Sequence, residues 1–144
     1  MKEKTTNRLS KRSKMVEVEK HLAAGNIKFR TAFRESVYFR MRDQDRTGLF
    51  SNLPKIFYTA FAIGYHFNKK TPIASKSINH INLVSLDRSV TELMVRLVLK
   101  KSPKLEDSKD LWREVEQYAE YGIQVLFDVW KEKGIMDVDV ILEK

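Results

Sequence analysis

The chain has 144 residues, 42% of them hydrophobic, and carries 27 Lys and Arg against 19 Asp and Glu, a formal net charge of +8. That length suits one domain able to bury roughly two-thirds of its unfolded surface. It contains no cysteine, which excludes disulfides, thiol catalysis and cysteine-bound zinc or iron–sulfur clusters.

The charge is unevenly placed. Residues 1–46 hold 13 Lys and Arg and 6 Asp and Glu, a net of +7, whereas residues 47–144 hold 14 and 13, a net of +1. A basic front end on a nearly neutral body attracts polyanions, or serves only as a solubilising tail. Residues 1–14, "MKEKTTNRLSKRSK", carry six Lys and Arg against one Glu. They read as a mobile basic arm, with no apolar run behind them that would make a secretory signal. In "KMVEVEKHLAA", residues 14–24, Met15, Val18 and Leu22 fall at helical spacing, and Gly25-Asn26 supplies a stop.

Residues 27–43 are ambiguous. Ile27, Phe29, Phe33 and Val37 line one face of a helix. "VYFRMR" also alternates, so a helix followed by an extended piece or more helix up to Asp43 is the expectation. "DQDRTG" reads as a turn. The strongest helix start follows, in "SNLPKIFYTAFAIGYHFN": Ser51 or Asn52 is a candidate cap, and Pro54 lies in the first turn. Ile56, Ala60, Ile63 and Phe67, widened by Phe57, Phe61 and Gly64, make this helix apolar nearly all round, hence central and buried. Asn68 suits a left-handed terminator, and Lys69 and Lys70 suit the negative end of the helix dipole. The uncharged run Ile56–Asn68 is 13 residues long, against about 20 needed to span a bilayer. A cytoplasmic protein is the expectation.

"INLVSL", residues 81–86, is a strand candidate. "SVTELMVRLVLKK" then forms an amphipathic helix with Val90, Leu93 and Leu97 inward, broken at Pro103. The last helix starts near Ser108, carries a stripe of Leu111, Val115, Tyr118, Ile123, Leu126 and Trp130, and closes at Gly134. "IMDVDVILEK" alternates and is either a terminal strand pairing with 81–86 or a tail. The fold class is therefore mainly α with a small β component: four to five helices around a buried central helix and one or two short strands. Residues 15–144 form a single globular domain behind the arm.

Catalytic patterns are not found. His21, His66 and His80 show no zinc-ligand spacing. The five glycines are isolated, so no phosphate-cradling loop is present. Asp87 with Asp107 and Lys109 is the only match to a metal-dependent nuclease spacing, and helix capping accounts for Asp107. No catalytic residue, metal or cofactor is expected. His66 reads as a helix-end residue. Gly64 is more telling, since a glycine inside a helix costs up to about 1 kcal/mol relative to alanine. With Ala60 and Ala62 it suggests close approach of another helix, and Gly122 lies similarly inside the last helix. The two helices are expected to cross there.

The candidate nucleic-acid ligands are Lys2, Lys4, Arg8, Lys11, Arg12 and Lys14 of the arm, with Arg40, Arg42, Lys69 and Lys70 beyond it. Arg30 and Arg34 extend this set if the interleaved Phe29, Phe33, Tyr38 and Phe39 are at the surface; those aromatics otherwise belong to the core.

Two stretches resemble a known family. "KIFYTAFAIGYHFNKKTPI", through Ala60, Gly64 and Pro72, and "EQYAEYGIQVL", through Tyr118, Ala119, Gly122, Ile123 and Leu126, resemble helices of Dnd system-associated protein 4. The likeness covers about residues 50–133. Glu120 and Tyr121 stand where that family tends to have Asn and Gly. The resemblance implies a setting beside DNA phosphorothioation and phage defence, and carries across no catalytic residues. Three functions follow as alternatives. The first is a non-catalytic accessory subunit that binds DNA or RNA through the basic front end and a larger defence protein, or a second copy, through an apolar helix face. The second is a protein–protein adaptor with no nucleic-acid binding. The third is a small metal-dependent nuclease.

Overall fold

The computed structural model describes residues 28–73, 78–82, 88–105, 107–133 and 138–142. They are mainly helical, with one two-stranded antiparallel sheet. Strand β1 (Lys28–Thr31) is followed by a π-helical stretch, Arg34–Phe39, that runs directly into α1 (Arg40–Gln44). Then come α2 (Leu53–Phe67), β2 (Asn79–Asn82), α3 (Arg88–Lys101), α4 (Ser108–Lys133) and the short α5 (Val138–Leu142). The described elements fall into two compact units. One contains α3 and the start of α4 as far as Val115. The other contains β1, α1, α2, β2, α4 from Glu116 onward, and α5.

In the unit of α3, the buried face is Thr91, Met94, Val95, Val98 and Leu99, joined by Leu111 and Val115 of α4. This corrects the expected inward stripe. Val90 and Leu97 are only half-buried, and Leu93 is 54% exposed. The helix has two apolar stripes, and the broader one, which includes a threonine, takes the core. Asp107 caps α4, as its place before the helix suggests: its carboxylate accepts the Lys109 N–H at 2.9 Å.

The second unit is built around α2. Asn52 occupies its N-cap position without a side-chain capping bond, and Pro54 stands in its first turn. Asn68 ends it in the left-handed region, at φ 54°. Ile56, Phe57, Ala60, Phe61, Ile63 and Gly64 are buried. A stripe of Lys55, Ala62 and His66 is exposed, so the helix is less completely enclosed than its composition suggests.

The α2–α4 contact is a backbone contact. A Cβ added to Gly64 would lie 1.9 Å from the carbonyl oxygen of Tyr118, and one added to Gly122 would lie 1.7 Å from the carbonyl oxygen of Ala60. Side chains pack outward from this crossing. Phe61 and Tyr65 meet Tyr118 with centroids 5.9 and 5.7 Å apart. The Thr71 N–H donates to the Gln117 carbonyl at 3.0 Å, which fastens the chain leaving α2 across α4.

Residues 27–43 differ from expectation. The first part is strand, not helix. Phe29 pairs in register with Ile81, both inward, and stacks on Phe57 at 4.1 Å. The helix begins only at Arg34, and the Phe33 carbonyl accepts from both Val37 and Tyr38 N–H, at 3.1 and 3.0 Å. The partner of β2 is thus β1, and the terminal segment corrects likewise: Val138–Leu142 is helical, with Ile141 buried. Of the 81–86 candidate, Ile81 and Asn82 are strand, and residues 83–86 lie outside the described residues.

Two buried glutamates one turn apart on α4 hold β1. Glu116 accepts the Arg30 N–H, and its Oε1 accepts Arg30 Nε and Nη2 at 3.0 and 2.9 Å. Glu120 accepts the Thr31 hydroxyl and, at 2.8 Å, the Ala32 N–H. The geometry is a match of two periods. Four helical residues rise about 6 Å, close to the roughly 6.6 Å between alternate strand residues. Each carboxylate therefore meets an alternate amide at the edge of β1. Burial raises the Glu120 carboxyl above the ordinary glutamate range, against the hydrogen bonds from Thr31 and Ala32 that lower it; the Glu116 charge adds to the rise. The nearby Tyr38 phenol is pushed well up, first by burial and then by the Glu120 charge.

Two measurements check these contacts. Gly64→Ala and Gly122→Ala should each lower stability in urea unfolding by about 3 kcal/mol or more, because a backbone atom rather than a side chain must move. Gly48→Ala, at φ +78° with open space around it, should cost only about 1–2 kcal/mol. For Glu120, the folded state holds a proton to higher pH than the unfolded chain does. Stability should therefore fall as pH rises from the ordinary glutamate pKa through the raised one. Glu120→Gln keeps an acceptor for the Ala32 N–H and turns an amide N–H to the Thr31 hydroxyl oxygen, which can accept it, and thermal melts across that window should lose the slope.

Candidate nucleic-acid interface

The six arm cations Lys2, Lys4, Arg8, Lys11, Arg12 and Lys14 lie outside the described residues, and so does Asp87. The remaining candidates fall in two places. Arg40 and Arg42 stand on α1, and Lys69 and Lys70 follow the end of α2.

The placement of Arg40 and Arg42 starts with the π-helical stretch. The extra residue in that turn buries Val37, Tyr38 and Met41 together. At 100° per residue, Arg40 and Arg42 then fall on either side of the half-buried Phe39, away from the core. The Arg42 guanidinium lies 4.5 Å from the Phe39 ring centroid, and that of Arg34 lies 6.0 Å from it. Arg40 reaches across to α4, where its guanidinium lies 5.3 Å from the Phe127 ring; the Lys131 ammonium is 5.7 Å from the same ring. Phe127 in turn stacks against Trp130, with centroids 6.1 Å apart. Four cations and two phenylalanines thus form one surface patch.

Acidic neighbours temper its charge. Arg34 pairs with Glu35 at 3.0 Å, Arg42 with Asp43 at 2.9 Å and Lys131 with Asp128 at 3.2 Å. Arg40 instead donates to the neutral Gln44 at 3.4 Å. Four cations against three carboxylates leave a formal charge of +1 on the patch.

The turn after α1 secures this arrangement. Asp45 accepts from the Thr47 hydroxyl, from the Phe50 N–H at 2.9 Å and, at 3.4 Å, from the Trp130 indole N–H. Burial pushes the Asp45 carboxyl up, but the hydrogen bonds from Phe50, Thr47 and Trp130 together outweigh it and hold the carboxyl below its ordinary value.

Lys69 and Lys70 form a separate group. Their ammonium groups lie 5.7 Å from the Tyr121 ring and 5.6 Å from the Tyr118 ring. Tyr121 and Phe127 are six residues apart on α4, about 9 Å along its axis. The structure thus keeps Arg40 and Arg42 on α1, over Phe127 and Phe39, and sets Lys69 and Lys70 over Tyr121 and Tyr118. Of the other candidates, Arg30 is committed to Glu116, Phe29 and Tyr38 are core, and His66 and His80 are exposed. Phe127 and Lys131 were not singled out from sequence; a phenylalanine four residues before a lysine on a long amphipathic helix gives no signal until a second helix supplies Arg40. No group of three or more His, Cys, Asp or Glu suited to a metal occurs among the described residues. Among them, too, no helix is long and apolar enough to cross a membrane. Comparisons with protein-family models, with curated proteins and with solved structures find no match to this chain.

A double-mutant cycle on Arg42→Ala and Phe39→Leu, read by urea unfolding, should give a coupling of about 0.5–1 kcal/mol, the size of a partly exposed cation–π contact.

Proposed function

We propose that this chain is a non-catalytic, cytoplasmic accessory protein that binds nucleic acid through its basic front end. The observation that carries the reading is the charge distribution: +7 over residues 1–46 against +1 over the rest. Lysine and arginine concentrated this way neutralise phosphates and release counterions, which gives sequence-independent, salt-sensitive affinity. Arg40 and Arg42 extend the same basic segment into the folded unit, beside aromatic rings. The resemblance of residues 50–133 to Dnd system-associated protein 4 sets the binding in DNA-targeting defence against phage. In that setting a larger partner protein docks on an apolar helix face, for which α3 offers the Val90, Leu93 and Leu97 stripe.

Duplex DNA retention at low salt tests this. The full chain should be retained, and its affinity should fall steeply with added salt. Removing residues 1–14 takes away six cations and should flatten the log–log salt slope by several units, at about 0.9 per lost phosphate contact. Equal retention with and without the arm would make the arm a solubilising tail, and no retention of the full chain, with co-purification of a larger protein, would make it an adaptor.

A further inference from the structure

The Arg40–Phe127 and Arg42–Phe39 stacks have a chemistry different from that of the arm. We propose that they form a platform for unpaired bases, so that the nucleic acid recognised by the folded unit is single-stranded. This rests on the nucleic-acid reading above and adds the form of the ligand.

Charge argues against a phosphate-binding role for the patch. Glu35, Asp43 and Asp128 each lie within 3.2 Å of one of its cations. A phosphate brought to Arg34, Arg42 or Lys131 meets a carboxylate at the same place, and a patch of formal charge +1 projects little field beyond a Debye length. Arg40 is the exception, with a neutral partner in Gln44, and one such residue does not track a backbone.

Planarity argues for bases. A guanidinium is flat, delocalised and weakly hydrated on its faces, unlike an ammonium. Here the Arg42 guanidinium lies over Phe39, 4.5 Å from its ring centroid, and the Arg40 guanidinium lies over Phe127, 5.3 Å from its ring centroid. Neighbouring groups hold their Nε atoms: Asp43 accepts from Arg42 at 2.9 Å and Gln44 from Arg40 at 3.4 Å. Each Nε is thus engaged while the guanidinium carbon lies over a ring, which limits how the group can turn and favours a second stacking partner. Duplex DNA hides its base faces and offers only phosphates, sugars and groove edges. Single strands expose base faces, and stacking on aromatic rings and arginine planes is how they are bound without sequence preference. The arm supplies backbone attraction; the platform supplies discrimination for unpaired strands.

The experiment measures fluorescence anisotropy of a labelled single-stranded oligonucleotide and of a duplex of the same length, with the full chain, at low and at moderate salt. The key variant is Arg40→Lys with Arg42→Lys, which keeps every charge and removes both planes. The parent should prefer the single strand at moderate salt, where the phosphate contribution is weakened. The variant should lose roughly tenfold or more of its single-strand affinity, the scale of one stacked base, with the same salt slope and unchanged duplex affinity. Phe39→Leu with Phe127→Leu should show the same selective loss, which protects the test if one variant is poorly folded by circular dichroism. Equal loss on both forms, or no loss on either, would overturn the platform while arm-dependent duplex binding left the broader reading intact. A parent that binds neither form would overturn both.

Discussion

The second unit depends on the approach of α2 to α4 at two glycines. Where Gly64 meets the Tyr118 carbonyl and Gly122 meets the Ala60 carbonyl, there is no room for a single methyl group. Contact this close has consequences beyond the crossing. It sets the height at which Phe61, Tyr65 and Tyr118 interlock, and it brings the chain after Asn68 near enough for Thr71 to bond the Gln117 carbonyl. The cost of two glycines inside helices, up to about 1 kcal/mol each, is offset by the packing of the residues around them. The same crossing decides which parts of α4 face β1 and which face α1.

On that frame, the glutamates act as a ruler for the strand. A helix turn and a pair of strand residues have nearly equal lengths, so Glu116 and Glu120 meet alternate positions at the edge of β1. A two-stranded sheet is marginal alone, and its outer strand exposes amides that would otherwise need water. Carboxylates from a neighbouring helix satisfy them instead. The expense is burial of two acids. Arg30 compensates one, and the other accepts the Thr31 hydroxyl and the Ala32 amide, with a raised pKa as the residue of that expense. Anchoring β1 in this way also fixes where the π-helical turn begins, and hence where Arg40 and Arg42 emerge on either side of Phe39.

Two kinds of cationic sequence then coexist in one chain. The front end is charge-dense by composition, with a net of +7 over residues 1–46. The patch on α1 and α4 is nearly neutral and rich in planar groups, so distance-dependent attraction is weak there while contact energies are comparatively large. Lys69 and Lys70 sit over tyrosines at another part of α4, which divides the basic residues that proximity in sequence would lump together.

Much of the architecture was legible from residues alone. The spacing of Leu111, Val115, Tyr118, Ile123, Leu126 and Trp130 defined the buried stripe of α4, Asn68 marked the end of α2, and glycines at 64 and 122 signalled close approach, because each of these is a local property of one helix. The errors came where two readings were locally equal. Phe29 suits a helix or a strand until Ile81, Glu116 and Glu120 are brought beside it. The two apolar stripes of α3 differ only in which neighbour covers them. "VDVIL" alternates like a strand, yet forms a helical turn with Ile141 buried. The patch was invisible for the same reason, since Arg40 and Phe127 are separated by most of the chain. The sequence by itself determined the helical class, the helix ends, the crossing glycines and the uneven charge. Only the tertiary structure decided strand partners, the buried face of α3 and which cations share a ring, because those depend on what long-range packing sets against each residue.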